Sequence, residues 1–325
     1  MSLLKVSNLA VEFTADKKTV KPISDISFTM EPGEVLGVVG ETGSGKSLTA
    51  HAIMGLTPLV GGKVSGSIEF DGVNLLTLSA SEMQKVRGAQ ISFIPQNPMT
   101  SLDPVYRVGD QIVEGLRKHL KLNRWKAKTL ALELMEQLRI PNPKRVFEQY
   151  PHQLSGGLKQ RIVIAIGIGT NPKLLIADEP TTALDVTVQA QIMRLFKELT
   201  TEKGIGLMLI THDLGVIAQV CDKIAVLYAG NLVEYGDIRE VFKKPKHPYT
   251  KALLDCIPYI GMEKGSLAAI EGNVPTATNF PIGCRFAPRC GLVMPKCTES
   301  FPDMVELAGG ARVACYKYTE ETVAG

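Results

Sequence analysis

Nowhere does this sequence offer an apolar run long enough for a bilayer. The longest, Ile162 to Gly169, falls far short of the roughly 20 residues that a helical span needs, so no membrane-spanning segment is expected. The start, Met1 to Lys5, has neither the charged opening nor the long apolar core of a secretory signal, so a cytoplasmic chain is expected. A strong charge of one sign is missing too. With 36 Lys and Arg against 33 Asp and Glu the net charge is +3, and no basic run is interleaved with aromatics, which argues against a nucleic-acid groove binder. No internal repeat or low-complexity tract interrupts the chain. What remains is ordinary for a globular protein, 45% hydrophobic and 21% charged. At 325 residues it exceeds one compact core, so a large domain with a smaller appendage is expected.

Two early runs, Lys5 to Phe13 and Ile23 to Met30, alternate apolar and polar, the period of half-buried antiparallel strands. They predict a small β layer. Val35 to Val39 is continuously apolar, as strands buried on both faces are, and similar runs recur at Ile91 to Ile94, Leu174 to Ala177, Leu207 to Ile210 and Ile224 to Leu227. Helical stretches between them predict a parallel sheet whose ligands gather at the strand carboxyl ends. From Val108 to Gly169 the chain is rich in Leu, Lys, Glu, Gln and Ala at helical spacing, with no strand-like run until its end, which reads as an inserted helical subdomain. After Gly236 prolines punctuate a segment holding four of the six cysteines, a C-terminal appendage.

Gly40-Glu41-Thr42-Gly43-Ser44-Gly45-Lys46-Ser47 follows the first buried run and precedes an apolar helical stretch. Its glycines let successive backbone N–H groups curl around one anion at a helix N-terminus. Lys46 would reach the β and γ phosphates of ATP, and Ser47 would hold the magnesium ion that bridges them. Leu174 to Glu179 is an apolar strand ending in two acids. Asp178 suits a magnesium-organising carboxylate and Glu179 a base for the attacking water; taken alone, the pair is also a strand end with an acidic helix cap. Ser155-Gly156-Gly157 points a hydroxyl and bare N–H groups at an anion, or simply caps a helix. Gln96 alone is a polar strand end, His212 a turn histidine, and Phe13 a core phenylalanine.

The phosphate loop, Gln96, Leu154-Ser155-Gly156-Gly157 with Gln160, the two-acid strand, Ala183-Leu184-Asp185 and Thr211-His212-Asp213 occur in that order. The set resembles the nucleotide-binding subunit of an ABC transporter over about residues 1–235. The resemblance implies an α/β fold of the P-loop NTPase type in which two such domains sandwich two ATP molecules. Each ATP would lie between one chain's loop, with Glu41, Thr42 and Asp185 among its contacts, and the partner's Ser155, Gly156 and Gly157. It further implies that Gln96 senses magnesium and the lytic water, that His212 grips the γ phosphate, and that Phe13 stacks on adenine. The signature reads Leu158-Lys159 where relatives often show Met-Arg, a departure that leaves Ser155 and Gly157 untouched.

Residues 236–325 resemble the C-terminal extension of the oligopeptide, dipeptide and nickel importer ATPases. The stretches that carry this are His247-Pro248-Tyr249-Thr250, Pro281 to Cys290, and the later Cys297 and Cys315, with Gln96-Asn97-Pro98 and Ser101 to Pro104 earlier. The gaps between Cys284, Cys290, Cys297 and Cys315 are unlike the close pairs of common zinc sites, and a cytosolic protein disfavours disulfides. A 4Fe-4S cluster, zinc and unligated thiols all stay open on spacing alone; the resemblance implies the cluster. Cys221 and Cys256 read as core thiols. No sequence feature ties the cysteines to the phosphate loop, so their role is expected to be structural. The resemblance also implies two transmembrane permease subunits, a second ABC ATPase subunit, an extracytoplasmic substrate-binding protein and a peripheral place on the cytoplasmic face of the membrane. Against this energy-coupling importer stand a soluble ABC ATPase that remodels nucleic acid or ribosomes, which usually shows a coiled-coil insertion or two fused ATPase domains, and a redox sensor built on the cysteines.

Overall fold

A computed structural model of the chain describes residues 2–15, 18–182, 184–257 and 269–319. Two compact units emerge, one made of residues 1–30, 35–76 and 211–325, the other of residues 31–34 and 77–210. In the first, β1 (Leu4–Ala15) and β2 (Lys18–Met30) form a long antiparallel pair, and β3 (Val35–Val39) turns through the glycine-rich loop into α1 (Lys46–Ile53). β4 (Gly62–Phe70) returns antiparallel to β1 and carries the short β5 (Val73–Asn74). The chain then builds the second unit from α2 (Ala80–Val86), β6 (Ile91–Ile94), α3 (Pro98–Ser101), α4 (Val108–Leu120), α5 (Arg124–Gln137), α6 (Pro143–Phe147), α7 (Gly156–Ile168), β7 (Leu174–Asp178), α8 (Val186–Lys203) and β8 (Gly206–Ile210). It re-enters the first unit with α9 (Leu214–Val220), β9 (Lys223–Tyr228), β10 (Asn231–Asp237), α10 (Ile238–Lys243) and α11 (Pro248–Asp255). α12 (Lys296–Glu299), β11 (Val305–Glu306), β12 (Arg312–Val313) and α13 (Tyr316–Thr319) close the described chain.

The five short apolar runs expected as buried strands are β3, β6, β7, β8 and β9, whereas the longest apolar run, Ile162 to Gly169, lies in α7 and its C-cap. In the first unit β3 runs parallel to β9, with Val38 opposite Ala225. In the second, β6, β7 and β8 form a parallel set in which β7 and β8 are buried along their whole length, as strands covered on both faces must be. The parallel expectation stops at β10, which pairs antiparallel with β9 and touches β2 in parallel at Asn231 and Asp25. The two alternating early runs form one antiparallel pair of strands, each longer than its pattern indicates. Within the first run the pairing is irregular, because β1 carries bulges between Val6 and Leu9, Leu9 and Val11, and Val11 and Phe13, each of which shifts register. Gly66 makes room for one of these irregularities: with φ at +94° it lies where a Cβ would strike the Asn8 carbonyl.

The stretch expected to be helical, 108–169, is α4 to α7, with a single 3₁₀ turn over Pro151–Gln153. Its core is the apolar face of α4 and α5, where Ile112, Leu116, Ala127, Ala131, Leu134 and Met135 are all buried, each large side chain contributing about 1.5 to 3 kcal/mol. Gly109 lets α4 sit directly on the Phe147 ring, which occupies the place of its missing Cβ.

The proline- and cysteine-rich segment packs within the first unit. Phe286 packs against both Tyr228 at the end of β9 and Tyr249 on α11, its ring centroid 5.2 and 5.3 Å from theirs, and Tyr228 and Tyr249 meet edge to face at 4.5 Å. β12 adds to β10, with Val313 opposite Glu234. Glu234 is buried and its carboxylate accepts the backbone N–H groups of Lys246 and His247 at 2.8 and 2.9 Å. His247 caps α11 through Nδ1, which accepts from the Tyr249 N–H at 3.0 Å, and burial pushes its imidazole down to about 3, so it is neutral. Arg285 donates to the Ala229 carbonyl and to Ser24 Oγ.

Candidate active site

The phosphate loop leaves β3 at Gly40 and ends at the N-cap of α1, Gly45. Three glycines hold left-handed backbone here, Gly40 at φ +150°, Gly43 at +84° and Gly45 at +100°. A Cβ on Gly40 would collide with the Leu227 carbonyl, so the loop can leave the strand here only as glycine. Around Gly43 there is open space where a Cβ would stand, and Gly43 and Thr42 are exposed while Ser44 is buried beneath them. Bare, outward-facing backbone at a helix start is the arrangement a phosphate group takes. Lys46 folds back, its Nζ donating to the carbonyls of Gly40 at 2.6 Å and Glu41 at 3.1 Å. Ser47 on the first turn of α1 is half-buried.

Glu41 is held more firmly than its neighbours. Its backbone N–H donates to Tyr249 Oη at 2.9 Å, and its carboxylate accepts two bonds from Arg289, at 2.7 and 3.1 Å. Elsewhere in this unit Phe13 stands on β1 opposite Gly62, with its ring against the space a Gly62 Cβ would take, and is half-buried. His212 is exposed just before Asp213, which caps α9 by accepting the N–H groups of Gly215 and Val216.

The second unit brings together the two acids, Gln96 and the signature helix. Asp178 is buried at the end of β7, and Glu179 follows in the left-handed region at φ +46°, an unusual backbone for glutamate of the kind found at functional sites. The Glu179 N–H donates to the Ile210 carbonyl at 2.8 Å, and its Oε2 accepts from Gln96 Nε2 at 2.9 Å and Thr182 Oγ1 at 3.0 Å. Gln96 and Glu179, 83 positions apart, are thus direct partners. Ser155 caps α7 by accepting the Leu158 N–H at 3.4 Å; it and Gly156 are exposed, and nothing occupies the space beside Gly156. Asp185 caps α8 in the same way through Val188, and Ala183 lies outside the described residues. Lys159, one turn into α7, is buried and reaches Met99 Sδ at 3.1 Å, linking the signature helix to α3.

Cys284, Cys290, Cys297 and Cys315 line one cavity of about 350 Å³, together with Phe286, Leu292 and Met294. All are free thiols. The Leu292 N–H donates to Cys290 Sγ at 3.4 Å. Burial pushes the Cys284 thiol up to about 11. Among the described residues no group of three or more His, Cys, Asp or Glu is placed to hold a metal ion, so the iron–sulfur expectation finds no ready metal centre here. Cys221 is a core thiol packed beneath Gly37, and Cys256 is half-buried outside the cavity.

A glycine-rich loop before a helix in one unit, and a Ser-capped signature helix with a two-acid strand in the other, define an ABC-type ATPase. Residues 23–182 match the ABC transporter family, and residues 233–297 match the family described as oligopeptide/dipeptide transporter, C-terminal region. The fold is shared with the ATP-binding cassette MJ0796, solved as a dimer bound to ADP and Pi, at TM-score 0.67 and 26% identity over 73% of this chain and 99% of that one. Among curated proteins, this chain is 44% identical to the oligopeptide transport ATP-binding protein AppD of Bacillus subtilis, over 98% of both chains. It is 45% identical to OppD of Escherichia coli, the oligopeptide transport ATP-binding protein, over 98% of this chain and 94% of that one. The chain belongs to the family of ABC transporter ATP-binding subunits that serve oligopeptide and dipeptide import, and like them it hydrolyses ATP to power transport. Among the described residues no helix is long and apolar enough to cross a membrane.

Proposed function

We propose that this chain is the energy-coupling ATPase of an importer for peptides or related small solutes, peripheral on the cytoplasmic face of the membrane. It would work with a second ABC ATPase subunit, two permeases and an extracytoplasmic substrate-binding protein, and without nucleic acid. The observation that carries this reading is that the segment matching the oligopeptide/dipeptide transporter C-terminal region grips the phosphate loop itself, through Arg289 and Glu41. Residues 1–235 carry the ATPase, with 108–169 as its helical subdomain, and 236–325 form the extension.

Within that reading Lys46, the loop amides from Gly40 to Ser47, and Phe13 hold ATP in one chain, and Ser155, Gly156 and Gly157 close over the partner's nucleotide. Asp185 completes the nucleotide contacts. Ser47, Asp178 and Gln96 offer the hard oxygen donors that magnesium takes, and the ion's chemistry is to neutralise phosphate charge. Glu179, turned by its left-handed backbone and held by Gln96 and Thr182, accepts the proton of the attacking water. His212 binds the γ phosphate. In the second unit Met99, Val105 and Tyr106 are 60%, 71% and 59% exposed on the stretch following Gln96, an apolar surface suited to a permease helix. Lys159 ties that stretch to the signature helix.

The four extension cysteines are assigned to a 4Fe-4S cluster. A cubane takes one thiolate at each of four irons, so its ligands need not converge on one ion; the cavity that all four cysteines line, and the Leu292 N–H donated to Cys290 Sγ, support the reading. Anaerobically purified protein is expected to hold about four iron and four sulfide per chain, and Cys284→Ser to lose both. Stoichiometric zinc without iron, or no metal at all, would overturn it. The reading as a whole is tested by affinity purification of the tagged chain from solubilised membranes. Two permeases and a second ATPase are the expected companions; ribosomes or DNA in their place would favour the remodelling ATPase.

A further inference from the structure

Among the eight residues of the phosphate loop Glu41 is the one acid, and an acid is a poor neighbour for a triphosphate. Its side chain is 30% exposed, and its position is fixed from both ends, the N–H by Tyr249 and the carboxylate by a two-pronged bond from Arg289. Arg289 is 5% exposed, and every nitrogen of its guanidinium is used. Nε donates to the Glu271 carbonyl at 2.8 Å, one terminal nitrogen also reaches Tyr228 Oη at 3.3 Å, and the other the Ile270 carbonyl at 3.1 Å. A planar fork held on all sides is poised to deliver one positive charge to one carboxylate. Burial opposes the charge, but the bonds to Glu41 outweigh it and raise the affinity of Arg289 for its proton.

We propose that Arg289, supplied by the C-terminal extension, is a positioning residue for ATP: it neutralises Glu41 and fixes the loop so that the cradle presents no net repulsion to the phosphates. Arg289 directly precedes Cys290, and Phe286, two residues after Cys284, packs on Tyr228 and Tyr249, so the knuckle that lines the cysteine cavity also sets the guanidinium in place. The extension therefore contributes to the nucleotide site as well as to the fold. This rests on the reading that the loop binds ATP.

A clamp that merely holds the extension down and one that neutralises the loop differ in sign. Binding of the non-hydrolysed analogue AMP-PNP to the purified full-length chain with magnesium separates them. Arg289→Met leaves the Glu41 carboxylate bare and should weaken binding by about tenfold at low salt, less at high salt, where like charges are screened. In turnover the loss should fall on KM for ATP and not on kcat. The double change Arg289→Met/Glu41→Gln should recover most of the lost affinity, because no charge is then left unpaired. Glu41→Gln alone leaves an uncompensated cation beside the cradle and should bind at least as tightly as the parent, a comparison that survives even if Arg289→Met does not fold. Weaker binding in Glu41→Gln, or a double variant no better than Arg289→Met, would overturn the proposal. A parent protein that does not bind AMP-PNP at all would instead overturn the ATP-site reading beneath it.

Discussion

Replacing Glu179 by Gln separates what its charge does from what its shape does. Glu179 Oε2 accepts from Gln96 at 2.9 Å and from Thr182 at 3.0 Å, and its N–H is satisfied by the Ile210 carbonyl. An amide oxygen accepts both side-chain bonds, the backbone bond is untouched, and the left-handed backbone at φ +46° is no worse for Gln than for Glu. The loss of charge assistance in two bonds to a half-buried group is therefore expected to cost about 1 kcal/mol of stability. Loss of the proton acceptor is larger: general-base catalysis contributes roughly 10² to 10⁴ in rate, or about 3 to 5 kcal/mol of barrier. The measurable signature is ATP binding near that of the parent, phosphate release slowed at least about a hundredfold, and accumulation of an ATP-bound dimer on size exclusion. Hydrolysis within about threefold of the parent would refute the assignment of Glu179 as base. So would a parallel loss of binding, which would make Glu179 a binding residue instead.

Two other changes probe separate links of the account. Ser155→Arg removes the cap of α7 at a cost of about 1 kcal/mol and drives a bulky cation into the partner's phosphate site. ATP-dependent dimerisation and hydrolysis should be lost while single-chain nucleotide affinity holds, and retained activity would argue against a composite site. Gly109→Ala pushes a methyl into the Phe147 ring and should destabilise the helical subdomain by about 1 to 3 kcal/mol; an unchanged melting temperature would mean that α4 and α6 are not packed as described.

The parts of the molecule that sequence made legible are those with a local physical signature. Burial on both faces demands unbroken apolar residues, which is why Val35 to Val39 and Leu174 to Ala177 could be read as central strands. A loop that must curl around phosphate demands glycine at fixed spacing, so Gly40, Gly43 and Gly45 announced themselves. Bulges in β1 and the antiparallel turn into β10 depend on partners elsewhere in the chain and left no periodic trace. Arg289 and Glu41 are 248 positions apart, and neither is unusual in its own neighbourhood. The sequence therefore suggested cysteines unconnected to the nucleotide loop, whereas in the fold the residue beside Cys290 holds that loop. Gln96 and Glu179 were legible as members of one site only through the order of motifs; their hydrogen bond needed the parallel strands β6 and β7 to bring the chain ends together.

Central to the account is that ATP hydrolysed by this chain drives peptide import. The direct measurement is uptake of labelled peptide into vesicles that hold the permease pair and its ATPases, with the binding protein on the substrate side and ATP on the other, compared between the parent and Lys46→Ala. ATP-dependent accumulation is expected with the parent, and a loss of more than about tenfold with Lys46→Ala in a complex that still assembles, because the cation that neutralises the transferring phosphate is gone. An assembled parent complex that hydrolyses ATP yet accumulates no peptide, or uptake undiminished by Lys46→Ala, would contradict it.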